Sequence, residues 1–271
     1  MIHPQAIVSE AATLQPSVEV GPFAIIESGV VIGAGTQIGA HAYLCAGTTL
    51  GRDNVVHMGA VLGHEPQDLA YRGAPTRLEI GDRNVFREGS QVHRGTAAGS
   101  ETVIGDDCYF MANAHVAHNC RIADQVVVAN GALLAGHVQV GERAFISGNA
   151  VVHQSTRIGR LAMLQGICGV GRDVPPFCVA SGINTIRAVN VVGLRRAGFE
   201  ARQIGAIRRA FRVLFWHRPN LRLARERLIA AEREARGPTT EVLEMLDFIA
   251  GSKRGICSGP RGKSAPAGED D

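Results

Sequence analysis

Apolar residues recur along this chain at every sixth position. Val8, Leu14, Val20, Ile26, Ile32, Ile38, Leu44, Leu50, Val56 and Leu62 keep that spacing without a gap. The same phase returns at Ile80, Phe86 and Val92, then runs from Ile104 through Phe110, Val116, Ile122, Val128, Leu134, Val140, Ile146, Val152, Ile158 and Leu164 to Val170. In a chain that is 45% hydrophobic, a run of this length arises by chance roughly once in several hundred million trials. Neither a helix period of 3.6 nor a strand period of 2 explains it. Six residues make a short strand and a corner, and three such units make a triangular coil whose apolar side chains point inward. Glycine often follows the apolar position (Gly21, Gly33, Gly39, Gly51, Gly81, Gly105, Gly141, Gly159), and the spacing predicts that it relieves the corner.

Two segments interrupt the repeat without losing its phase, predicting loops near 64–78 and 94–102. A core-driven repeat gains nothing from leaving one face of a solenoid, so these loops are candidates for function, with neutral insertion as the alternative. The hexad stops after Val174-Pro175-Pro176. Beyond it, Asn190–Gly198, Ala201–His217, Leu221–Ala235 and Thr239–Ala250 have helical spacing. Ile204, Ile207, Phe211 and Leu214 form one stripe, and Thr239 caps the last helix. The reading is a β-helix over 1–180, an α-helical domain over 181–250 that covers its open end, and a Gly-, Ser- and Pro-rich disordered tail over 251–271.

Composition sharpens this. Aromatic residues make up only 5% of the chain against 33 glycines, which suits a thin repetitive core. A net charge of +3 is too small to predict nucleic-acid binding. Residues 1–180 carry 11 Arg and no Lys against 15 acids, whereas 181–271 carry 17 basic residues against 10 acids. The basic end predicts an anionic ligand or an acidic partner, although solvated arginine faces are also common. The six cysteines are scattered and include no CxxC pair, as expected of core residues in a reducing compartment. With no leader and no apolar run of membrane-spanning length, the sequence predicts a cytoplasmic protein.

Stacking at i and i+18 turns sequence into surface. His118 falls in one column with Gly136 and Gln154, Asn119 with His137, and Ala117 with Ala135 and His153, with His115 just along the strand. Histidines beside an approachable glycine backbone suit general-base catalysis with oxyanion stabilisation. The same patch could be hydrogen-bonded subunit interface, or a metal site. The spacing His115-x-x-His118 does not match that of hexapeptide-repeat carbonic anhydrases, so no metal or other cofactor is expected.

The segments Asn113–Cys120, Ala135-Gly136-His137-Val138 and Val152-His153-Gln154 resemble the UDP-N-acetylglucosamine O-acyltransferase family of lipid A biosynthesis. So do Glu65–Leu69, Pro75–Gly81, Val92–Thr96, Asp173–Pro176 and Val189–Phe199. The resemblance covers about residues 1–250, and it supplies the left hand of the predicted left-handed parallel β-helix. It implies a homotrimer with sites between subunits, acting on a 3-hydroxyacyl group carried by acyl carrier protein and on UDP-N-acetylglucosamine. His118 would be the general base, the Gly136 N–H the oxyanion donor, and His137 a further active-site residue. Gln67, Asp68, His115, His153, Gln154, Asn190 and Arg196 would bind substrate, and Gly166 would leave room for a long acyl chain. Asn119, Ala70, Ala197, Ile183 and Val192 depart from the family pattern. An amide at 119 can orient an imidazole but supports its cation less than a carboxylate does. A 3-amino sugar, another nucleotide sugar, a metalloenzyme and a scaffold remain alternatives.

Overall fold

The computed structural model describes residues 1–217, 222–224, 226–228 and 240–259. The hexads form a left-handed parallel β-helix of three flat faces. Face 1 has nine strands from Ile7–Val8 to Gly169–Val170, and face 2 has eight from Thr13–Leu14 to Arg157–Ile158. Face 3 has ten strands, beginning at Glu19–Val20 and ending with Cys178–Ala180 and Ile186–Val189. Each strand pairs with the residue 18 positions on, as in Ile7↔Ile25 and Val116↔Leu134. Across the loops the register lengthens to 30 residues (Leu62↔Val92) and 24 (Arg77↔Glu101). Both exceed 18 by a multiple of six, which is why the phase survives.

The repeating apolar positions are buried, Leu44, Leu62, Phe86, Val116, Leu134 and Ile146 among them, with Phe86 and Phe110 stacked 4.9 Å apart. A second inward column lies two residues earlier, and the hexad spacing does not reveal it. It holds Ala24, Val30, Ala42, Ala60, Ala132 and Ala150, where the prism narrows at its corners. At its asparagines the column bonds within itself. Asn54 Oδ1 accepts from the Asn84 N–H at 2.9 Å, and Asn84 Oδ1 from the Cys108 N–H at 2.8 Å. Buried amides paired in this way avoid a desolvation penalty.

The corner itself differs from expectation. The left-handed residue is the third after the apolar position, and it is mostly not glycine: Phe23, His41, Asp53, Asn119, Gln125, His137, Leu161 and Ile167 all have φ between 53° and 60°. This conformation is unfavourable for such side chains. At all of these but Asn119 it is held because the residue's N–H donates to a carbonyl of the preceding rung, as in His41 to Pro22 at 3.1 Å and His137 to His118 at 2.9 Å. The glycine directly after the apolar residue serves another need, namely clearance. A Cβ at Gly33 would lie 2.4 Å from the Gly51 carbonyl oxygen, and one at Gly159 would lie 2.3 Å from the Pro176 nitrogen. Glycine is required there because two rungs touch.

At the C-terminal end, Ile186–Val189 returns antiparallel to Cys178–Ala180. Helices follow at Val191–Arg196 and Ala201–Phe211, the latter continuing as a π-helical segment, Arg212–His217. Ile204, Ile207 and Phe211 of the predicted stripe are buried, whereas Leu214 is only partly so. Of the helix predicted over 221–235, residues 222–224 and 226–228 are described and helical. The last helix is Thr240–Ala250, packing Val242, Met245 and Leu246 inward, while Thr239 lies outside the described residues. Arg160 pairs with Glu244 at 2.7 Å, and Arg157 reaches the Phe248 carbonyl at 2.7 Å, tying this helix to the prism.

The tail boundary at 251 is too early. Residues 252–258 lie along the last rung as a strap, with Ile256 bridging Asp173, Ser258 bridging Thr185, and Cys257 buried. Asp173, itself buried, accepts from Ser252 Oγ at 2.8 Å and Arg157 Nε at 2.9 Å. Residues 260–271 lie outside the described residues.

Clearance at the rung contact is testable. Gly33→Ala should cost on the order of 1–3 kcal/mol through overpacking, whereas Val31→Thr on the outer surface should stay within about 0.5 kcal/mol. Urea denaturation of both variants measures the difference, and equal stabilities would refute the close-approach account.

Candidate functional site

The edge between faces 1 and 2 gathers most of the predicted site residues. Strand His115–Val116 ends there, and the chain turns through Ala117, His118 and Asn119. His118 is 6% exposed, and its imidazole rises along the prism edge against Gly136 of the next rung. A Cβ at Gly136 would lie 2.4 Å from the ring carbon Cε1 and 2.6 Å from Nε2. The ring therefore occupies the space a side chain at 136 would need. The Gly136 N–H has no acceptor among the described residues, so it is available to a bound group.

The second loop determines how His118 is held. At most other corners the left-handed residue donates to a carbonyl one rung below, but the loop over 94–100 displaces that carbonyl beneath Asn119. The Asn119 N–H donates instead to Thr102 Oγ1 at 2.8 Å. Thr96, within the loop, donates its hydroxyl to Asn119 Oδ1 at 2.9 Å, and His118 Nδ1 approaches the same oxygen at 2.9 Å. An amide oxygen only accepts, so the ring proton sits on Nδ1 and the Nε2 lone pair is left free. That nitrogen is 4.0 Å from Asp68 Oδ2.

Asp68 comes from the first loop, which Arg94 anchors. The Arg94 guanidinium donates to the carbonyls of Gly63 at 3.2 Å and Ala46 at 3.3 Å, and to the Tyr71 hydroxyl at 3.2 Å. Asp68 Oδ1 accepts from the Ala70 N–H at 2.9 Å, fixing the turn. Gln67 and Ala70 are exposed beside it. His137 stands edge-on to His118 with ring centres 5.2 Å apart, and His93 lies 5.1 Å from His115. Burial holds His93, His115 and His137 below the ordinary imidazole range; the neighbouring His93 adds to this for His115, and His118 for His137. Among the described residues, no three His, Cys, Asp or Glu side chains converge as a metal site would require.

Other predicted residues lie elsewhere. His153 and Gln154 are exposed on the same edge, two rungs beyond His118. Gly166 is on the edge between faces 3 and 1, above Gly148. Asn190 and Arg196 line a groove of about 680 Å³ on face 3, together with Phe145, Met163, Val189 and Ala197. The amide of Asn190 is occupied within the chain. Its Oδ1 accepts from the Gly193 N–H at 3.0 Å, and its Nδ2 donates to the Leu161 carbonyl at 2.9 Å. Sequence reasoning gave no role to Thr96, Thr102, His93, Arg94 or Arg254. Three of these stand in Val92–Thr96, but nothing in that string says which side chain turns back to the edge.

The family described as UDP N-acetylglucosamine O-acyltransferase, domain 2, matches residues 173–257, and bacterial transferase hexapeptide repeats match 29–64 and 101–136. An acyl-(acyl-carrier-protein)–UDP-N-acetylglucosamine O-acyltransferase of Halorhodospira halophila is 49% identical over 259 residues, covering 94% of this chain and 98% of the relative. The chain belongs to this family. The enzyme of the same description from Paraburkholderia phymatum is 47% identical, with 94% and 98% covered. Crystal structures agree. The UDP-N-acetylglucosamine acyltransferase of Bacteroides fragilis superposes with a TM-score of 0.89 at 36% identity, covering 94% of this chain and 99% of the other. That of Francisella novicida does so at 0.90 and 32%, covering 96% and 95%.

Two predictions follow from the packing. Gly136→Ala should expel the His118 ring, giving faster deuteration at its C2 position and a loss of roughly 1–3 kcal/mol. Unchanged exchange and stability would mean that the ring is not packed against Gly136. His93 titrates with the opposite sense to a salt-bridged histidine. Its folded pKa is depressed, so the unfolded chain binds the extra proton below the ordinary value of about 6.5, and stability falls as pH drops from there through the folded value. His93→Gln should therefore show a smaller loss in urea midpoint between about pH 7.5 and about pH 5 than the wild type does. An equal loss would exclude His93 as a source of acid sensitivity.

Proposed function

We propose that this chain transfers a 3-hydroxyacyl group from acyl carrier protein to the 3-position of UDP-N-acetylglucosamine, the first acylation in lipid A biosynthesis. The observation that carries the mechanism is the His118 ring, held at Nδ1 by Asn119 and packed against Gly136 with Nε2 free. Nε2 removes the proton from the sugar's 3-hydroxyl as that oxygen attacks the thioester carbonyl. The Gly136 N–H stabilises the resulting oxyanion. As the tetrahedral intermediate collapses, the C–S bond breaks and the imidazolium returns its proton to the leaving thiolate. No cofactor enters this sequence. Asp68, close to Nε2 on a loop held by Arg94, orients the sugar with Gln67, while His115, His137, His153 and Gln154 line its path. Gly166 leaves space for a long acyl chain.

A homotrimer completes the site. In one chain the His118 edge and the Asn190–Arg196 groove are on different parts of the prism, so a sugar nucleotide reaching both needs two subunits. The outer surface of face 1 supports such packing, since Ile7, Leu133 and Val151 are exposed apolar side chains in its strands. No helix among the described residues is long and apolar enough to cross a membrane, and we place the reaction in the cytoplasm.

Mass spectrometry of purified protein given 3-hydroxyacyl carrier proteins of several lengths should detect a UDP-sugar that gains one hydroxyacyl group. UDP-N-acetylglucosamine and its 3-amino analogue should be run in parallel. His118→Ala should lower kcat by about 10²–10⁴-fold while sedimentation shows the same assembly as the wild type. Acylation of the amino analogue alone would replace the ester reaction with amide formation, and full turnover by a folded His118→Ala protein would defeat the mechanism.

A further inference from the structure

The strap over 252–258 sends one side chain back towards the reactive edge. Arg254 Nε donates to the Gly171 carbonyl at 3.1 Å, and its Nη2 lies 3.2 Å from Nδ1 of His153. A guanidinium has five donors and no acceptor. Nδ1 of His153 therefore accepts from it, and the ring proton resides on Nε2. The Gln154 carbonyl also lies 3.2 Å from Nδ1 and would require the opposite tautomer. A charge-assisted donor facing the lone pair outweighs a neutral contact of equal length.

We infer that Arg254 is a positioning residue for acyl transfer. By holding His153 as the Nε2–H tautomer it makes that ring a hydrogen-bond donor to an oxygen of the sugar nucleotide's diphosphate. This inference rests on the proposed UDP-sugar reaction. His153 stands two rungs, or about 10 Å, along the edge from His118. A sugar whose 3-oxygen meets His118 spans that gap with its ring, and its anomeric phosphate then falls near His153. The charge at this end suits an anion. Arg172, Lys253 and Arg254 are exposed there, whereas Asp173, the acid of that rung, is buried and already bonded to Arg157 and Ser252.

Steady-state kinetics on Arg254→Gln, Arg254→Lys, His153→Ala and the Gln/Ala double variant test this, together with ¹⁵N spectra of the histidine rings assigned by the loss of one signal in His153→Ala. Arg254→Gln should raise the KM for the UDP-sugar roughly tenfold, leaving the KM for acyl carrier protein and the melting temperature unchanged. Lysine should restore only part of this, because an ammonium cannot bridge Gly171 and His153 together. In the His153→Ala background the added effect of Arg254→Gln should fall below about twofold. The Nδ1 resonance of His153 should be that of an unprotonated nitrogen in the wild type and should shift in Arg254→Gln. A protonated Nδ1 in the wild type would overturn the inference. So would an undiminished effect in the His153→Ala background, or a KM change matched by a fall in melting temperature. If the wild type acylates neither sugar, the parent reaction fails, while the nitrogen spectrum still decides the tautomer.

Discussion

Rung-on-rung hydrogen bonding sets the terms for every other feature of this chain. Each strand is only a few residues long and could not persist alone, but its N–H and C=O groups are shared with rungs at a spacing of about 4.8 Å. The pairing fixes the coil at 18 residues, as in Ile25↔Tyr43 and Tyr109↔Val127. It also imposes costs at particular positions. Left-handed backbone at Leu161 and Ile167 is tolerated because the N–H of each bonds to the rung below, to Glu142 at 2.9 Å and Gly148 at 3.1 Å. Glycine at 33 and 159 is needed because the neighbouring backbone leaves no room for a methyl group.

The His118 edge lies where that regularity is broken. Loops can leave a solenoid only in ways that return the chain to phase, and both excursions do so. Their consequence is local, since a displaced rung leaves the next one short of a partner. Beneath Asn119 the missing carbonyl is replaced by the Thr102 hydroxyl, and the incoming loop adds Thr96 to the Asn119 amide. A side chain that elsewhere would only decorate a corner is thus bonded on two sides and directs His118. The first loop adds Asp68 from the same edge, with Arg94 as the bolt between the two loops. An acid or amide beside the histidine can do the orienting. What an amide gives up is charge, so here Nδ1 is held by geometry and not by a carboxylate.

The hexad made the fold readable because its period belongs to the core and to nothing else. Stacking arithmetic then placed His118 against Gly136, and the structure puts the ring in the space that glycine vacates. Three things were not readable, for physical reasons. The left-handed corner residue carries no strong identity signal, since backbone pairing pays for Phe23 and His41 as well as for Asn119. The roles of Thr96, Thr102 and Arg94 depend on how loops fold back, which periodicity does not encode. The strap over 252–258 has the composition of a linker, yet it bonds to Asp173 and Asn184 through its backbone, and backbone pairing is nearly blind to side-chain type.

A rigid prism also limits where substrate groups can meet. Its edges run parallel and cannot close on one another as hinged domains do. Residues in one edge column are brought together at rung spacing, whereas residues on different edges stay separated by the width of a face. His118, Gly136 and Gln154 satisfy the first condition; Gly166 and the Asn190–Arg196 groove do not. Strain or loop motion within the chain cannot remove that separation, because the intervening face is a continuous hydrogen-bonded sheet. A ligand that uses both sets must therefore take one from a neighbouring copy. On the proposed trimer, the apolar outer surface of face 1 and the split distribution of polar residues are two aspects of one arrangement. The face buries area between subunits, and the edges it brings alongside supply the halves of each site.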